Sequence, residues 1–126
     1  MSEPVLDVAA FQAKVYPSPP CWSLVADVYT SVLQEPVDGF RTVGESVRAA
    51  ARAFRLQLHK DRLGFERVAE PVDFAVVLMA QRERVGIHHC GIFYGGRVLH
   101  AQDTGTLYED VDQLRQRYPV MEFWSR

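Results

Sequence analysis

The sequence lacks most features that mark specialised classes of protein. Its two cysteines, Cys21 and Cys90, are too few for the disulfide framework of a small secreted domain. It has no apolar run of about 18 residues that could span a membrane, and its N-terminal segment lacks the pattern of a signal peptide. The formal net charge is -2, without long runs of one sign, which favours neither nucleic acid nor a membrane surface as partner. We therefore expect a soluble protein synthesised in the cytoplasm.

The length and composition fit one compact domain. The chain has 126 residues, 48% of them hydrophobic, which suffices for a single core over residues 1–126. Apolar residues recur at helical intervals after the proline-rich segment that ends at Pro20, so a helix is predicted to begin at Cys21. Thr42 and Glu45 form a capping box that predicts a second helix over residues 44–58.

The second half of the chain reads as strands. A short strand and a proline turn precede a continuous apolar strand at residues 74–79, which should be buried on both faces. Residues 88–101 predict a β-hairpin with Gly95 and Gly96 at its turn. A short helix is expected within residues 108–119, and a closing strand follows it. Helices that precede strands without regular alternation predict an α+β fold with an antiparallel sheet.

Three residues carry the candidate chemistry. Cys21 stands at a helix N-terminus, where unpaired N–H groups and the helix dipole favour the thiolate. His89 and His100 lie on the paired strands of the hairpin, at similar distances from its turn, so their side chains are expected to be neighbours. An imidazole can take the proton of a thiol and return it to a leaving amine, while a second polar group orients the ring. The pattern favours a Cys-His-His triad.

Two segments resemble the NlpC/P60 cysteine peptidases, particularly the phage-tail-associated branch. PCWSLVADVYTSVL is similar to the nucleophile helix of that family, and HHCGIFYGGRVLHA is similar to its His-Val-Gly-Ile-Tyr segment and the following strand that ends in His-Ala. EPVDFAVVL resembles the Pro-Gly-Asp segment that leads into the first central strand. The three segments occur in the order found in the family.

The resemblance implies a papain-like fold, with N-terminal helices packed on a central antiparallel sheet, and hydrolysis of amide bonds in peptidoglycan stem peptides. It implies Cys21 as nucleophile, His89 as base and His100 as the orienting third residue, without a metal or other cofactor. Tyr16 is the candidate for an oxyanion donor upstream of the nucleophile. Peptidoglycan peptides would be the binding partners, and phage tail proteins are further partners that the resemblance suggests.

Other readings of the same residues stay open. Pro20, Ser23 and Val72 depart from the family pattern, which suggests a structural or binding module of a phage tail with weak or absent catalysis. Zinc could use the histidines and Cys90, but adjacent strand residues point to opposite faces and cannot all converge on one ion. By the same alternation, His88 is expected to be exposed or structural, and Cys90 to be a buried thiol that faces away from His89.

Overall fold

The computed structural model of the chain describes residues 4–17, 20–35 and 64–126. The helices and strands of these residues are α1 Val8–Gln12, α2 Cys21–Ser31, β1 Glu66–Val68, β2 Val76–Ala80, β3 His89–Tyr94, β4 Arg97–Gln102, β5 Gly105–Asp110, α3 Val111–Arg117 and β6 Val120–Ser125. None of the helices in these three ranges is long and apolar enough to cross a membrane. The second helix predicted at residues 44–58, with its capping pair, lies outside the described residues.

The six strands form one antiparallel sheet in the order β1-β6-β2-β3-β4-β5. Strands β2 to β5 lie in chain order, whereas β6, the last of the six in the sequence, inserts between β1 and β2. Helices α1 and α2 precede the sheet in the sequence, and α3 connects β5 to β6. This arrangement confirms the predicted α+β class with an antiparallel sheet.

Helix α2 forms where apolar residues recur every three or four positions. Its buried residues are Cys21, Trp22, Leu24, Val25, Val28 and Tyr29. This face packs against β3 and β4, and the burial of each large aliphatic side chain contributes about 1.5–3 kcal/mol. Pro20 precedes the first turn, where its missing N–H costs no helical hydrogen bond. The packed helix thereby holds Cys21 beside the strands that carry the histidines.

Strand β2 is buried along its whole length. Val76 belongs to the core cluster that contains the buried face of α2, whereas Val77 packs in a second cluster with Leu114 of α3. Because successive strand residues point to opposite faces, the sheet is covered on both sides, as predicted for this strand. The strand begins two residues later than predicted, since Phe74 takes a positive φ of 70° in a turn.

The hairpin and the edge strand differ in how well their sequences predict them. Gly95 and Gly96 form the β3–β4 turn as predicted, with φ angles of 60° and 84° that favour glycine. The short helix expected within residues 108–119 is α3, which begins at Val111, and the residues from Tyr108 to Asp110 lie in strand β5. Strand β5 is at the sheet edge and buries only Thr106 fully, so its sequence carries little apolar alternation.

Candidate functional site

Cys21 is the first residue of α2 and is 5% exposed. Pro20, at the N-cap position, offers no side-chain hydrogen bond to the first turn of the helix. The N–H groups of that turn therefore leave a partial positive charge close to the thiol, which stabilises a negative charge on sulfur. The local structure gives Cys21 the position of an activated thiol.

Cys90 and His89 are the hydrogen-bonding neighbours that act on the pKa of the Cys21 thiol. The hydrogen bond from Cys90, followed by the hydrogen bond and charge of His89, holds the pKa of Cys21 well below its usual range, although burial raises it. The thiolate is the nucleophilic form of cysteine. A thiol with a lowered pKa and an imidazole therefore lie together at the start of β3.

Cys90 is fully buried, and its thiol contacts the site instead of standing apart from it. Burial comes first among the causes that raise its pKa, followed by the hydrogen bond and the negative charge of Cys21. Cys90 therefore stays protonated and donates to the Cys21 sulfur. Cys90 and His89 are adjacent on β3 and point to opposite faces, as alternation predicts, yet Cys21 reaches both because they are the first two residues of that strand.

His89 and His100 are neighbours on the hairpin. Nε2 of His89 lies 2.9 Å from Nδ1 of His100, with the two rings nearly perpendicular. Ile92 pairs with Leu99, and continuing this register sets Gly91 opposite His100. His89 is two residues before Gly91, so the two histidines occupy diagonal positions on one face of the sheet. The structure thereby places His100 next to His89, as the sequence predicts.

The site joins the two faces of the sheet at the start of β3. Cys21 belongs to the core cluster on the α2 side, whereas His89 stacks on Tyr118, which belongs to the cluster on the α3 side. The ring centroids of His89 and Tyr118 are 5.1 Å apart and their planes differ by 19°. The end of a strand gives an imidazole on one face access to a thiol on the other.

Gly91 lets the strands approach closely beside the two histidines. A methyl group at Gly91 would lie 2.6 Å from the carbonyl oxygen of Leu99 and 2.9 Å from Cβ of His100. Both distances are shorter than van der Waals contact, and one of these neighbours is backbone, which cannot rotate away. The absence of a side chain at Gly91 is therefore a condition for the position of His100.

We expect Gly91→Ala to lower the free energy of unfolding by about 1–3 kcal/mol and to displace the His100 ring from His89. Gly96→Ala is the matched control, since it strains a backbone with φ of 84° but meets no atom within 4 Å. Denaturant unfolding should show a loss of stability in both variants. Histidine ring signals in NMR spectra should change only in Gly91→Ala, and unchanged signals there would contradict the steric argument.

Cys21, His89 and His100 form a row of neighbouring side chains, and the carboxylate of Glu109, which the sequence pattern does not indicate, is the next member of that row. Nε2 of His100 lies 2.6 Å from Oε2 of Glu109, which also accepts hydrogen bonds from the guanidinium of Arg117. His100 pairs with Leu107 in the β4–β5 register, so Glu109 is two residues farther along on the same face. Finding Glu109 from the sequence would have required β5 and its register, and the polar composition of β5 predicts neither.

His100 is completely buried and uncharged. Burial, followed by the charge of His89, lowers the pKa of His100 to about 4, although Glu109 acts in the opposite direction. Since the folded pKa lies below the usual value of about 6.5, His100 is neutral from above about pH 4. A neutral imidazole has one donor and one acceptor nitrogen, which suits a ring that contacts another group on each side.

His88 has a structural position. Its Nε2 accepts a hydrogen bond from the backbone N–H of Gln81 at 3.0 Å, and its backbone N–H donates to the carbonyl oxygen of Met79 at 3.0 Å. The side chain is buried, and burial, followed by the charge of His89, lowers the pKa of His88. The neutral ring therefore ties the loop before β3 to the end of β2. Of the two expectations for His88, exposed or structural, the structure supports the second.

The hydroxyl of Tyr16 donates to Oδ2 of Asp27 at 2.6 Å. Asp27 also accepts from Lys14 and Ser31, so the carboxylate anchors the segment before α2 onto the outer side of that helix. Burial raises the pKa of Tyr16, followed by the effects of Asp27, so the hydroxyl keeps its proton. Stabilising an oxyanion would require Tyr16 to give up its hydrogen bond to Asp27.

Within residues 4–17, 20–35 and 64–126, no group of three or more His, Cys, Asp or Glu side chains has the arrangement to hold a metal ion. Comparison of the chain with protein-family models, with curated proteins and with solved structures gives no match. Inference about function therefore depends on the chemistry of the site itself.

Proposed function

We propose that the protein is a cysteine peptidase in which Cys21 is the nucleophile, His89 the general base and His100 the third residue. One observation carries the proposal. A thiol at the start of a helix has a pKa that the neighbouring imidazole of His89 helps to lower, and Nε2 of that imidazole is 2.9 Å from Nδ1 of a second imidazole. This is the arrangement that nucleophilic catalysis by cysteine requires, with a base that is itself oriented by a third group.

The reaction follows from these positions. The Cys21 thiolate attacks the carbonyl carbon of an amide, so a carbon–sulfur bond forms, and His89 gives its proton to the departing amine as the carbon–nitrogen bond breaks. His89 then takes a proton from water, whose oxygen attacks the thioester. The carbon–sulfur bond breaks, a carboxylic acid leaves, and the thiolate and protonated imidazole are restored. His100 holds the His89 ring in position through both steps.

The substrate class rests on the resemblance to NlpC/P60 peptidases. The α+β class, the antiparallel sheet and the helix that begins at Cys21 are compatible with a papain-like arrangement. We infer that the substrates are amide bonds in peptidoglycan stem peptides, and that the protein acts as a cell-wall hydrolase associated with a phage or prophage tail. No cofactor takes part in the proposed mechanism.

A second function is favoured by how little of the site is open to solvent. Cys21 is 5% and His89 is 8% exposed, and Pro20 stands where the family places an aspartate that binds the substrate amine. A structural or binding module of a phage tail, with weak or absent catalysis, would tolerate both features. Cleavage of the substrate distinguishes this module from an enzyme.

Digestion of purified peptidoglycan sacculi tests the proposal. We expect the wild-type protein to release fragments whose masses identify one type of hydrolysed amide bond. Thr30→Ala changes an exposed residue of the same helix and should cleave at the wild-type rate. Intact sacculi and intact isolated muropeptides after prolonged incubation with wild-type protein would favour the binding module.

A further inference from the structure

The row of hydrogen-bonded side chains does not end at the third residue. His100 is 2.6 Å from Glu109, and two nitrogens of the Arg117 guanidinium donate to the two carboxylate oxygens of Glu109, one of them at 3.1 Å. Glu109 is at the end of β5, and Arg117 is the last residue of α3. Helix α3 thus fixes a carboxylate against the ring nitrogen of His100 that faces away from His89.

We propose that Glu109 is a positioning residue that sets the direction of the hydrogen bonds through His100 to His89. The proposal rests on the function proposed for Cys21 and His89, and it assigns Glu109 a part in the same site. An ionised carboxylate can only accept hydrogen bonds, whereas each nitrogen of a neutral imidazole can be donor or acceptor. Because Glu109 can only accept, it determines which nitrogen of each histidine donates a hydrogen bond and which accepts one.

The direction follows one nitrogen at a time. Because Glu109 accepts, Nε2 of His100 carries the proton, and Nδ1 of the neutral ring must be the acceptor. That nitrogen is 2.9 Å from Nε2 of His89, which therefore carries a proton and donates it. The second ring nitrogen of His89, Nδ1, is left to take the proton of the Cys21 thiol, which gives the thiolate and protonated imidazole of the proposed mechanism. This is the protonation pattern that a general base needs.

The opposite direction would disable the base. If Nδ1 of His100 carried the proton, it would donate to Nε2 of His89, and the neutral His89 ring would carry its own proton on Nδ1. Nδ1 would then already carry a proton and could not take that of the Cys21 thiol, so the thiolate and protonated imidazole of the proposed mechanism would not form. A wrong tautomer of a catalytic histidine reduces catalysis strongly even when the geometry is intact.

Arg117 keeps Glu109 in the form that the proposal needs. Its hydrogen bonds, followed by that of His100, hold the pKa of Glu109 below its ordinary value, although burial raises it. Burial keeps His100 neutral above a pKa of about 4. Over the neutral range, a negative carboxylate therefore faces a neutral imidazole, and the direction is fixed. The charges on His89 and Arg117 both oppose protonation of His100.

Three variants test the proposal. Glu109→Leu removes the acceptor, whereas Glu109→Gln keeps an oxygen that can accept from His100 and is the conservative variant. Glu122→Leu is the matched control, because Glu122 is also a strand glutamate near an arginine, with its side chain 24% exposed against 20% for Glu109. Its carboxylate pairs with Arg67 at 3.9 Å and belongs to the opposite end of the sheet.

The first measurement is the tautomer of His100, from the ¹⁵N shifts of its ring. We expect the wild-type protein, Glu109→Gln and Glu122→Leu to carry the proton on Nε2, and Glu109→Leu to show the Nδ1 tautomer or a mixture of the two. A proton on Nδ1 in the wild-type protein would overturn the proposal, and this result needs neither a substrate nor a folded variant. An unchanged tautomer in folded Glu109→Leu would overturn it as well.

The second measurement is the rate at which iodoacetamide alkylates Cys21 between about pH 5 and 9. We expect Glu109→Leu to lower the rate near neutral pH by about 10- to 100-fold and to move the profile to higher pH. Glu109→Gln should restore most of the rate, and Glu122→Leu should match the wild type. A Glu109→Leu profile that coincides with the wild-type profile would refute the role of Glu109.

These readouts separate the proposal from the function on which it rests. If the wild-type protein leaves peptidoglycan intact but shows the expected tautomer and variant profiles, Glu109 positions the histidines of a protein that is not a peptidoglycan hydrolase. If the wild-type protein cleaves and Glu109→Leu cleaves equally well with the same tautomer, the peptidase stands and the role of Glu109 fails.

Discussion

Cys21→Ala and His89→Ala should each lower the rate of muropeptide cleavage by about 10⁴-fold or more, and the double variant should be hardly slower than either one. The reason is that, in the proposed mechanism, thiol and imidazole act as one unit. Without the sulfur no thioester forms, and without the imidazole the proton of the leaving amine has no source. Cleavage rates of the three variants on isolated muropeptides, with folding checked by circular dichroism, measure the effect.

Variants of the two residues next to His89 on the chain test whether these losses are specific to Cys21 and His89. His88→Gln replaces the histidine beside His89 with a side chain that can still accept from Gln81, so folded protein should cleave at nearly the wild-type rate. Cys90→Ala removes the other cysteine and one hydrogen bond to the Cys21 sulfur, so a loss of about 10-fold is expected. Wild-type cleavage by Cys21→Ala would exclude a cysteine mechanism.

His100→Ala should cost less than either of those replacements. The ring of His100 does not touch the thiol, and chemistry at Cys21 can proceed slowly when His89 is only partly oriented. We expect a loss of about 10- to 1,000-fold in cleavage rate. A cavity at a completely buried position also lowers stability, so rates should be compared below the unfolding temperature of the variant. A loss equal to that of His89→Ala would make His100 part of the chemical unit.

The second large effect is the difference in reactivity between the two thiols. Cys21 should be alkylated by iodoacetamide before Cys90 in the native protein, because the pKa of Cys21 is lowered and that of Cys90 is raised. Cys21 also has 5% of its surface exposed, whereas Cys90 has none. Mass mapping of labelled peptides after limited treatment would show which thiol reacts.

The preference of iodoacetamide for Cys21 over Cys90 should be largest near about pH 6. At about pH 6 an ordinary thiol with a pKa near 8.5 is roughly 0.3% thiolate. A thiol of lowered pKa stays ionised as the pH falls until its own pKa is reached, so its advantage grows from pH 8 to pH 6. Lower intrinsic nucleophilicity offsets part of this gain, and we expect at least about tenfold faster labelling of Cys21 at pH 6.

Two changes should reduce the preference. His89→Ala removes a hydrogen bond and a charge that lower the pKa of Cys21, so labelling at pH 6 should slow, and unfolding in denaturant should make both thiols react alike. Equal labelling in the native protein, or faster labelling of Cys90, would leave Cys21 as a structural residue of α2. The domain would then fit a binding module better than an enzyme.

Local patterns determined much of the site. Helical spacing after a proline-rich segment predicted that a helix begins at Cys21, and it does. The glycine pair predicted the hairpin turn, and similar distances from that turn predicted that His89 and His100 are neighbours, which they are at diagonal positions. These features succeed because a helix start and a tight hairpin depend on residues that are close together in the chain.

The sequence pattern did not predict strand β5 at the sheet edge. Strand β5 has a mostly exposed side and a polar sequence, so nothing in its composition separates it from a loop or from the helix that follows. Glu109 was missed for this reason. An acidic residue before a helix is common, and its contact with His100 depends on the β4–β5 register, which no short segment encodes.

By itself, the sequence determined the fold class, the helix that begins at Cys21 and the hairpin that carries both histidines. Only the tertiary structure decided which groups surround them: Cys90 against the Cys21 sulfur, and Glu109 with Arg117 behind His100. The physical reason is the separation along the sequence between the residues that make each contact. Turns and helix starts are fixed by nearby residues, whereas these contacts join strands and helices whose relative positions are set by packing on both faces of the sheet.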